Sequence, residues 1–209
     1  MEYRKTHVPG FTIGTAEDRE GLTGVTVILA PKDGASAGVD VRGCAPGTRE
    51  TDLLSPEKTV QKIHAVVLSG GSAFGLEADS GVMNYLAKQG AGFPVGDITV
   101  PIVCGAVLFD LSIGSSHAHP DIQMGYLAAS KASDTFPVGC YGAGTGASVG
   151  KLRGFAHAMK SGAGYAEFGL TGGLYVGAYM AVNACGEIYE GDHILAGALS
   201  DDDSHFISS

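Results

Sequence analysis

The sequence is poor in positive charge, lacks tryptophan and contains no long apolar run. Its 13 Lys and Arg residues stand against 22 Asp and Glu residues, which gives a formal net charge of −9. Nucleic-acid binding needs clustered Lys and Arg residues, and none occur, so we expect no nucleic-acid partner. No stretch approaches the ~18 consecutive apolar residues of a membrane-spanning helix, and residues 1–14 lack the apolar core of a signal peptide. We therefore expect no membrane partner.

Cysteine is also scarce, with four widely separated residues and no C-x-x-C pair: Cys44, Cys104, Cys140 and Cys185. This spacing excludes zinc-ribbon and dithiol redox motifs and is typical of reduced thiols, so we expect a cytoplasmic protein. His117 and His119, followed by Asp121, have the pattern of a solvated loop, and His64 that of a buried core histidine. We predict no metal and no cofactor.

Glycine, in contrast, is abundant, with 33 residues among 209, roughly twice the average usage. The length predicts a single domain over residues 1–209. Alternating apolar patterns predict an α/β layered architecture. The predicted strands are 22–30 and 37–42, paired as a hairpin, then 63–69, 100–111 and 173–188; the predicted helices are 72–90, capped by Ser72 and ended by Gly90, and 121–132.

Small residues on the core-facing side of the first predicted helix form a second pattern. Ala73 and Ser80 share that face, and Gly81 lies in the middle of the helix. Glycine in a helix interior costs roughly 1 kcal/mol relative to alanine. We therefore expect the helix to approach a neighbouring layer closely.

The densest run of glycines, residues 139–150, matches no complete nucleotide-binding motif. A phosphate-binding loop needs G-x-x-x-x-G-K-[ST], but Thr145 replaces the first glycine and Leu152 follows the lysine. The dinucleotide fingerprint needs an apolar strand directly before its glycines, and no such strand is predicted here. Nucleotide binding is therefore not favoured.

The same run contains a G-x-S-x-G match at residues 146–150. In α/β-hydrolases this motif holds a nucleophilic serine between a strand and a helix. Ser148 would then be the nucleophile, with Asp192 and either His193 or His205 as its partners. No strand is predicted before the motif, but the hydrolase triad stays open as an alternative.

Lys151 and Asn183 are the residues with the clearest chemical promise. Lys151 emerges from a glycine-rich run, where backbone can approach a substrate and an ammonium can stabilise negative charge. Asn183 lies in an otherwise apolar strand, where its amide must find hydrogen-bond partners. Two readings remain open for Asn183, a structural amide network and an oxyanion-hole donor.

Four sequence blocks, with Leu22–Val27 as a fifth, resemble one family in order and spacing: Leu68–Val82, Ile102–Leu111, Gly142–Lys151 and Val176–Asn183. The family is that of the self-processing L-aminopeptidase/D-esterases, with β-peptidyl aminopeptidases and nylon-oligomer hydrolases. The resemblance covers residues from about 8 to 200. The long Leu68–Val82 block is specific, whereas the glycine-rich block alone is not.

The resemblance implies an αββα sandwich with N-terminal-nucleophile chemistry. Family precursors cut themselves before a Ser or Thr, which then attacks an amide or ester carbonyl from the start of a smaller β chain. By motif, Asn183 becomes an oxyanion-hole donor, and Lys151 supports the nucleophile or its amine. Phe109 occupies a position in the substrate pocket where some relatives carry a tyrosine, so no hydroxyl is available there.

No part of the sequence resembles the β segment that carries the nucleophile. We therefore expect the α chain of an aminopeptidase-like hydrolase, incomplete without its β chain, assembled as oligomers of αβ units and acting on small peptides, amides or esters. Two alternatives stay open: an N-acetyltransferase of the ornithine-acetyltransferase type, and a non-catalytic binding protein derived from the family.

Overall fold

The computed structural model describes residues 2–207, which form fifteen β-strands and two α-helices. The strands are β1 (Glu2–Lys5), β2 (Thr12–Asp18), β3 (Thr23–Leu29), β4 (Thr48–Arg49), β5 (Ala65–Ser69), β6 (Phe93–Val95), β7 (Ile98–Val100), β8 (Val103–Val107), β9 (Thr135–Val138), β10 (Ser148–Val149), β11 (Met159–Lys160), β12 (Ala163–Gly169), β13 (Tyr175–Ala181), β14 (Ile188–Glu190) and β15 (His193–Ala196). The helices are α1 (Glu77–Lys88) and α2 (Ile122–Ser130). Strands and helices are interleaved, so the predicted mixed α/β character is confirmed.

A five-stranded sheet with the order β2-β3-β5-β8-β4 lies at the centre of the fold. Only β5 and β8 are parallel; the other neighbouring strands are antiparallel. Alternate residues of β3 serve opposite faces, because successive side chains of a strand point to opposite sides. Val25 and Val27 are fully buried in the main core, whereas Thr26 and Ile28 face the other side.

Both α-helices pack together on the Val25 and Val27 side of this sheet. The expected close approach occurs, but to the other helix of the same layer rather than to a neighbouring layer: a Cβ added to Gly81 of α1 would lie 1.9 Å from the carbonyl oxygen of Ile122 at the start of α2. A Cβ on Gly125 of α2 would lie 2.0 Å from the carbonyl oxygen of Ala78. The helix backbones are therefore in direct contact, which a larger side chain at either position prevents.

The opposite side of the sheet is covered by a second layer of strands. The long hairpin β12–β13 pairs over its whole length, and a smaller core joins it to the sheet through Ile13, Phe136 and Val138 with Tyr165 and Tyr179 packed against them. The order of layers is therefore helices, sheet and hairpin layer. None of the helices within residues 2–207 has the length and apolar character to cross a bilayer.

The side of β12–β13 that points away from the sheet is apolar and exposed. We name it the hairpin outer face, and it comprises Phe168, Leu170, Leu174, Val176 and Met180, which are 53–72% exposed. Both α-helices of the described residues lie on the far side of the central sheet. Of the four layers in the expected αββα sandwich, residues 2–207 thus supply three.

Several expected elements differ in the structure. Residues 37–42 form no strand, because Val39 and Val41 are exposed and find no pairing partner. Ser72 does not cap α1; it begins a 3-10 turn with φ +53°, and α1 starts after it without a side-chain cap. The expected strand 100–111 ends at Val107, and the expected strand 173–188 is divided into β13 and the start of β14.

The second helix matches its prediction. Asp121 caps α2 by accepting a hydrogen bond from the backbone N–H of Met124. Gly90 follows α1 with φ +63°, the left-handed conformation that glycine favours after a helix. Both signals are local to the chain, which is why sequence alone could reveal them.

Candidate active site

The candidate site is built on two backbone segments that run side by side. Gly150 N–H donates to the carbonyl of Gly186 at 2.9 Å, and Lys151 N–H donates to the carbonyl of Cys185 at 2.6 Å. Gly150 has φ +72°, and a Cβ there would lie 2.1 Å from the backbone nitrogen of Ala198. Only glycine fits this conformation and this space. The pairing brings Lys151 next to Asn183.

The Asn183 side chain is fixed by contacts on both of its polar atoms. Its Oδ1 accepts hydrogen bonds from Lys151 Nζ at 2.7 Å and from Ser148 N–H at 3.0 Å. Its Nδ2 donates to the carbonyl of Phe109 at 3.0 Å. A side-chain amide has two N–H donors, and within residues 2–207 the second one has no acceptor. Asn183 therefore holds one available donor in a fixed orientation.

Lys151 contributes a charge as well as a hydrogen bond. Its ammonium also donates to the backbone carbonyl of Asn183 at 3.1 Å. Burial lowers the pKa of Lys151 below its ordinary value, and the nearby Cys185 thiol acts in the opposite direction. An ammonium against Oδ1 polarises the amide, which strengthens its N–H groups as donors.

Phe109 adds an apolar border beside this amide. Its side chain is 46% exposed and lies against Phe155, with ring centroids 6.1 Å apart. Leu152, the neighbour of Lys151, is also exposed. The polar Asn183–Lys151 pair thus has apolar side chains around it, an arrangement suited to binding an apolar group next to a carbonyl.

A cavity of about 300 Å³ opens next to these residues. It is lined by the ends of three strands, namely Leu68 and Ser69 at the end of β5, residues 106–108 at the end of β8, and residues 179–181 of β13. Phe109 directly follows Leu108 of this lining and Asn183 lies two residues after Ala181, so both site residues continue segments that line the cavity without lining it themselves. Its volume is near the lower limit for a small-molecule site.

The α/β-hydrolase triad is wrong. Ser148 is only 1% exposed, and its Oγ has no hydrogen-bond partner within residues 2–207. The G-x-S-x-G segment follows a 3-10 turn and enters β10, so the strand and helix that the motif requires are absent there. Asp192 lies in the exposed turn between β14 and β15, and His193 is the exposed first residue of β15. Ser148 instead acts through its backbone N–H, on Asn183.

The predictions for His64 and His117 hold, whereas His119 is half-buried rather than solvated. His64 is 3% exposed, and its Nδ1 accepts a hydrogen bond from the backbone N–H of Ile102 at 3.2 Å, as expected of a core histidine. His117 and His119 lie in the loop before α2, where the His119 ring stacks on Phe74 with centroids 5.2 Å apart. The described part of the chain contains no group of three or more His, Cys, Asp or Glu side chains placed to hold a metal.

The structure thus brings together the three predicted site residues, Asn183, Lys151 and Phe109. It also reveals two contributors that the sequence did not, the backbone N–H of Ser148 and the ring of Phe155. A backbone donor leaves no mark on residue identity. The only sequence signal for Phe155 is an aromatic residue soon after the glycine-rich run.

Comparison with known proteins places this chain among peptidases. A family model described as peptidase family S58 matches residues 5–202. An uncharacterized aminopeptidase of Mycobacterium leprae is 45% identical over 175 residues, covering 80% of this chain and 46% of that protein. A 6-aminohexanoate-oligomer endohydrolase of a Kocuria species is 39% identical over 145 residues, covering 69% of this chain and 38% of that protein. The chain spans less than half the length of these two relatives.

Two solved structures have the same fold over most of the chain. An L-aminopeptidase D-Ala-esterase/amidase of Ochrobactrum anthropi, described as a new variant of the Ntn-hydrolase fold, superposes with a TM-score of 0.66 at 19% identity, covering 85% of this chain and 52% of that one. A β-aminopeptidase of a Burkholderia species gives a TM-score of 0.61 at 24% identity, covering 85% and 51%. At this identity the likeness concerns the fold.

Proposed function

The chain belongs to peptidase family S58, and on this premise we propose that it is the α portion of an aminopeptidase-type hydrolase whose Ser or Thr nucleophile lies on a separate β segment. The observation that carries the proposal is the Asn183 amide, which is fixed by three hydrogen bonds and has one N–H without an acceptor among residues 2–207. A preorganised donor of this kind is what a tetrahedral intermediate requires.

The proposed reaction proceeds by acyl transfer to the nucleophile. The hydroxyl oxygen bonds to the substrate carbonyl carbon, the carbonyl electron pair moves to its oxygen, and the hydroxyl proton passes to the α-amine of the nucleophilic residue. Asn183 Nδ2 donates to the resulting oxyanion. The intermediate then expels the amine or alcohol, which takes the proton, and water releases the acid from the ester.

Lys151 has two roles in this proposal. It donates to Asn183 Oδ1 and so keeps the amide pointing toward the oxyanion. Its positive charge also lowers the affinity of a neighbouring α-amine for protons, which favours the neutral amine that acts as base. Both roles follow from a charge held close to the donor by short contacts.

The hairpin outer face is an argument for a second segment that packs on this chain. Five large apolar side chains lie open to solvent there, and apolar patches of this kind mark interaction surfaces. We propose that the β segment covers this face and brings the nucleophile to the Asn183 site. Assembly into oligomers of αβ units and a cytoplasmic location belong to the same proposal.

The proposed substrates are small peptides, amides or esters. The relatives named above are an uncharacterized aminopeptidase and an endohydrolase of 6-aminohexanoate oligomers, and both names describe hydrolysis of amide bonds. Acetyl transfer to an amino-acid acceptor is not favoured, since these relatives are hydrolases. The exposed rings of Phe109 and Phe155 favour an apolar acyl group over a charged one.

The first experiment removes the proposed oxyanion donor. In the gene product at its natural length, Asn183→Ala is expected to lower kcat by about 10²-fold or more, as the loss of an oxyanion donor does. The measurement is steady-state hydrolysis of amino-acid p-nitroanilides. Asn84→Ala, on the exposed side of α1, is the matched control and should keep the wild-type rate. A loss below about threefold in Asn183→Ala would return Asn183 to a structural role.

The second experiment concerns the separate segment. Mass spectrometry of the purified gene product is expected to find a second, smaller species that begins with Ser or Thr. Hydrolysis by a preparation that contains this 209-residue chain alone would contradict the proposal, because the chain is then sufficient for catalysis.

A further inference from the structure

A buried carboxylate lies next to the Asn183 site in the chain and has no role in the mechanism above. Asp110 is 2% exposed and follows Phe109 directly. Its Oδ2 accepts a hydrogen bond from Thr23 Oγ1 at 2.8 Å, and its Oδ1 accepts one from the backbone N–H of Gly71 at 2.6 Å. Burial raises the pKa of Asp110, and these two hydrogen bonds oppose the shift.

Three other parts of the sequence meet the segment of Asp110 at this carboxylate. Thr23 begins β3, and Gly71 precedes the 3-10 turn that leads to α1. A Cβ added to Gly70 would lie 2.1 Å from Asp110 Oδ2, and one added to Gly146 would lie 2.2 Å from the same atom. The glycines at 70 and 146 therefore leave the space that the carboxylate occupies.

Two of the contacts that hold the Asn183 amide come from segments that touch Asp110. The Phe109 carbonyl accepts from Asn183 Nδ2 and belongs to the residue bonded to Asp110. The Ser148 N–H donates to Asn183 Oδ1 and lies two residues after Gly146, which packs on the carboxylate. A displacement of the carboxylate would move both contacts together.

Lys160 binds the loop 145–148 through hydrogen bonds to its backbone. Its ammonium donates to the carbonyl of Thr145 and, at 3.0 Å, to that of Ala147, on either side of Gly146. Burial lowers the pKa of Lys160, and the charge of Asp110 partly offsets this. The segment 145–147 is thus bound by an ammonium on its carbonyls and packed on a carboxylate at Gly146.

We propose that Asp110 is a positioning residue, which fixes the orientation of the Asn183 amide by joining the Phe109 carbonyl and the loop 145–148 to β3 and the Gly70–Gly71 turn. The inference rests on the proposed function of Asn183. The positioning role of Asp110 would explain the presence of Thr23, Gly70 and Gly146, none of which contributes a side chain to the reaction.

The test is a double-mutant comparison in the gene product at its natural length. Asp110→Asn keeps the size of the side chain but replaces one acceptor oxygen by a donor, so kcat for an amino-acid p-nitroanilide should fall about 10- to 100-fold with little change in KM. In the Asn183→Ala background, the same substitution should change kcat by less than about threefold, because the two residues act as one unit.

Two further variants control for loss of structure. Asp79→Asn makes the same change at another fully buried aspartate, on α1 and without a hydrogen bond to Asn183, and it should keep the wild-type kcat. Thr23→Val removes one donor to Asp110 while keeping the shape of the side chain, and kcat should fall several-fold. If Asp110→Asn does not fold, kcat is compared instead for Thr23→Val in the wild type and in the Asn183→Ala background.

A spectroscopic readout separates this inference from the proposed function. The side-chain amide resonances of Asn183, identified by their loss in Asn183→Ala, should shift in Asp110→Asn and stay unchanged in Asp79→Asn. If Asn183→Ala keeps full activity, the proposed function of Asn183 fails while the amide shift still tests the positioning. Losses in kcat that multiply in the double variant, or amide resonances that do not move, would overturn the inference.

Discussion

The two faces of the central sheet are closed in different ways. On one side, α1 and α2 meet the sheet through fully buried residues such as Val25, Val67 and Val82. On the other side, the β12–β13 hairpin buries Tyr165 and Tyr179 against a small core but leaves the hairpin outer face open. The core on the helix side is fully buried, whereas the hairpin has one face packed on the sheet and the other exposed to solvent.

The two sides also treat carboxylates differently. Asp79 on α1 is fully buried, neither of its oxygens has a hydrogen-bond partner within residues 2–207, and burial raises its pKa to about 7 despite the charge of Arg49. Glu167 on β12 is also affected by burial, which raises its pKa, but hydrogen bonds from Tyr165, His7 and Thr6 outweigh this and lower it to about 2. The helix side favours a neutral acid, and the hairpin side favours an ionised one.

The largest difference in the free energy of unfolding is expected between two Phe→Ala substitutions, one on each face of the hairpin layer. Phe136, 1% exposed, belongs to the small core, and Phe136→Ala should lower the free energy of unfolding by about 3–5 kcal/mol. Phe168, 72% exposed, lies on the hairpin outer face, and Phe168→Ala should change it by less than about 0.5 kcal/mol. Urea unfolding of this chain measures both; similar losses would mean that the outer face is covered within the chain itself.

The pH dependence of stability tests the contrast between the carboxylates. A pKa raised from 3.8 to about 7 in Asp79 means that the native state binds the proton more tightly than the unfolded state. The free energy of unfolding should then fall as the pH rises from about 4 to 7, by up to about 4 kcal/mol from this group. Asp79→Asn should remove that fall and be more stable than the wild type at pH 8.

Glu167→Gln is the matched substitution on the hairpin side, and its effect on the free energy of unfolding should have the opposite sign. The lowered pKa of Glu167 adds stability above its ordinary pKa near 4.5, and this contribution is lost as the pH falls toward 2. The variant should therefore be less stable than the wild type at pH 7. A parallel pH profile for Asp79→Asn and the wild type would show that Asp79 is ionised in the fold.

A smaller effect is expected from glycine substitutions on the two sides. Gly81→Ala places a Cβ 1.9 Å from the Ile122 carbonyl oxygen, so the helices must separate, and we expect a loss of about 2–3 kcal/mol. Gly164 of β12 has nothing within 4 Å of an added Cβ, and Gly164→Ala should be neutral or slightly stabilising. Thermal unfolding of the two variants compares them directly, and equal melting temperatures would contradict close contact of the helix backbones.

The sequence predicts the helix side better than the hairpin side, for a physical reason. The strand at 23–29 and the helix at 122–130 bury apolar residues with the period of their own backbone, and Asp121 marks the start of its helix. The strand β12 is built from glycine, alanine, two isolated aromatic residues and Glu167, so its alternation is weak. Residues 37–42 alternate more clearly, yet no strand in the described part of the chain lies beside them to accept their hydrogen bonds.

The candidate site shows the same limit. An amide in a predicted apolar strand and a lysine after glycines marked Asn183 and Lys151, because each is costly or unusual in such a setting; in the structure Asn183 lies two residues after the end of β13. The contacts of Asp110 join residues up to 87 positions apart, and nothing local to Asp110 signals its partners. Pairings of this kind depend on the tertiary fold, which a single sequence does not display.

The N-terminal strand has a consequence for the order in which the chain folds. β1 pairs with β9, so that Glu2 lies opposite Val138, and the His7 backbone N–H donates to Glu167, 160 residues later. During synthesis, residues 2–7 leave the ribosome well before residues 135–167 and must wait for them, roughly 7–30 seconds at usual elongation rates. Until then the edge of β1 is unpaired, so a nascent chain stalled before residue 135 should depend on chaperones more than one released after residue 167.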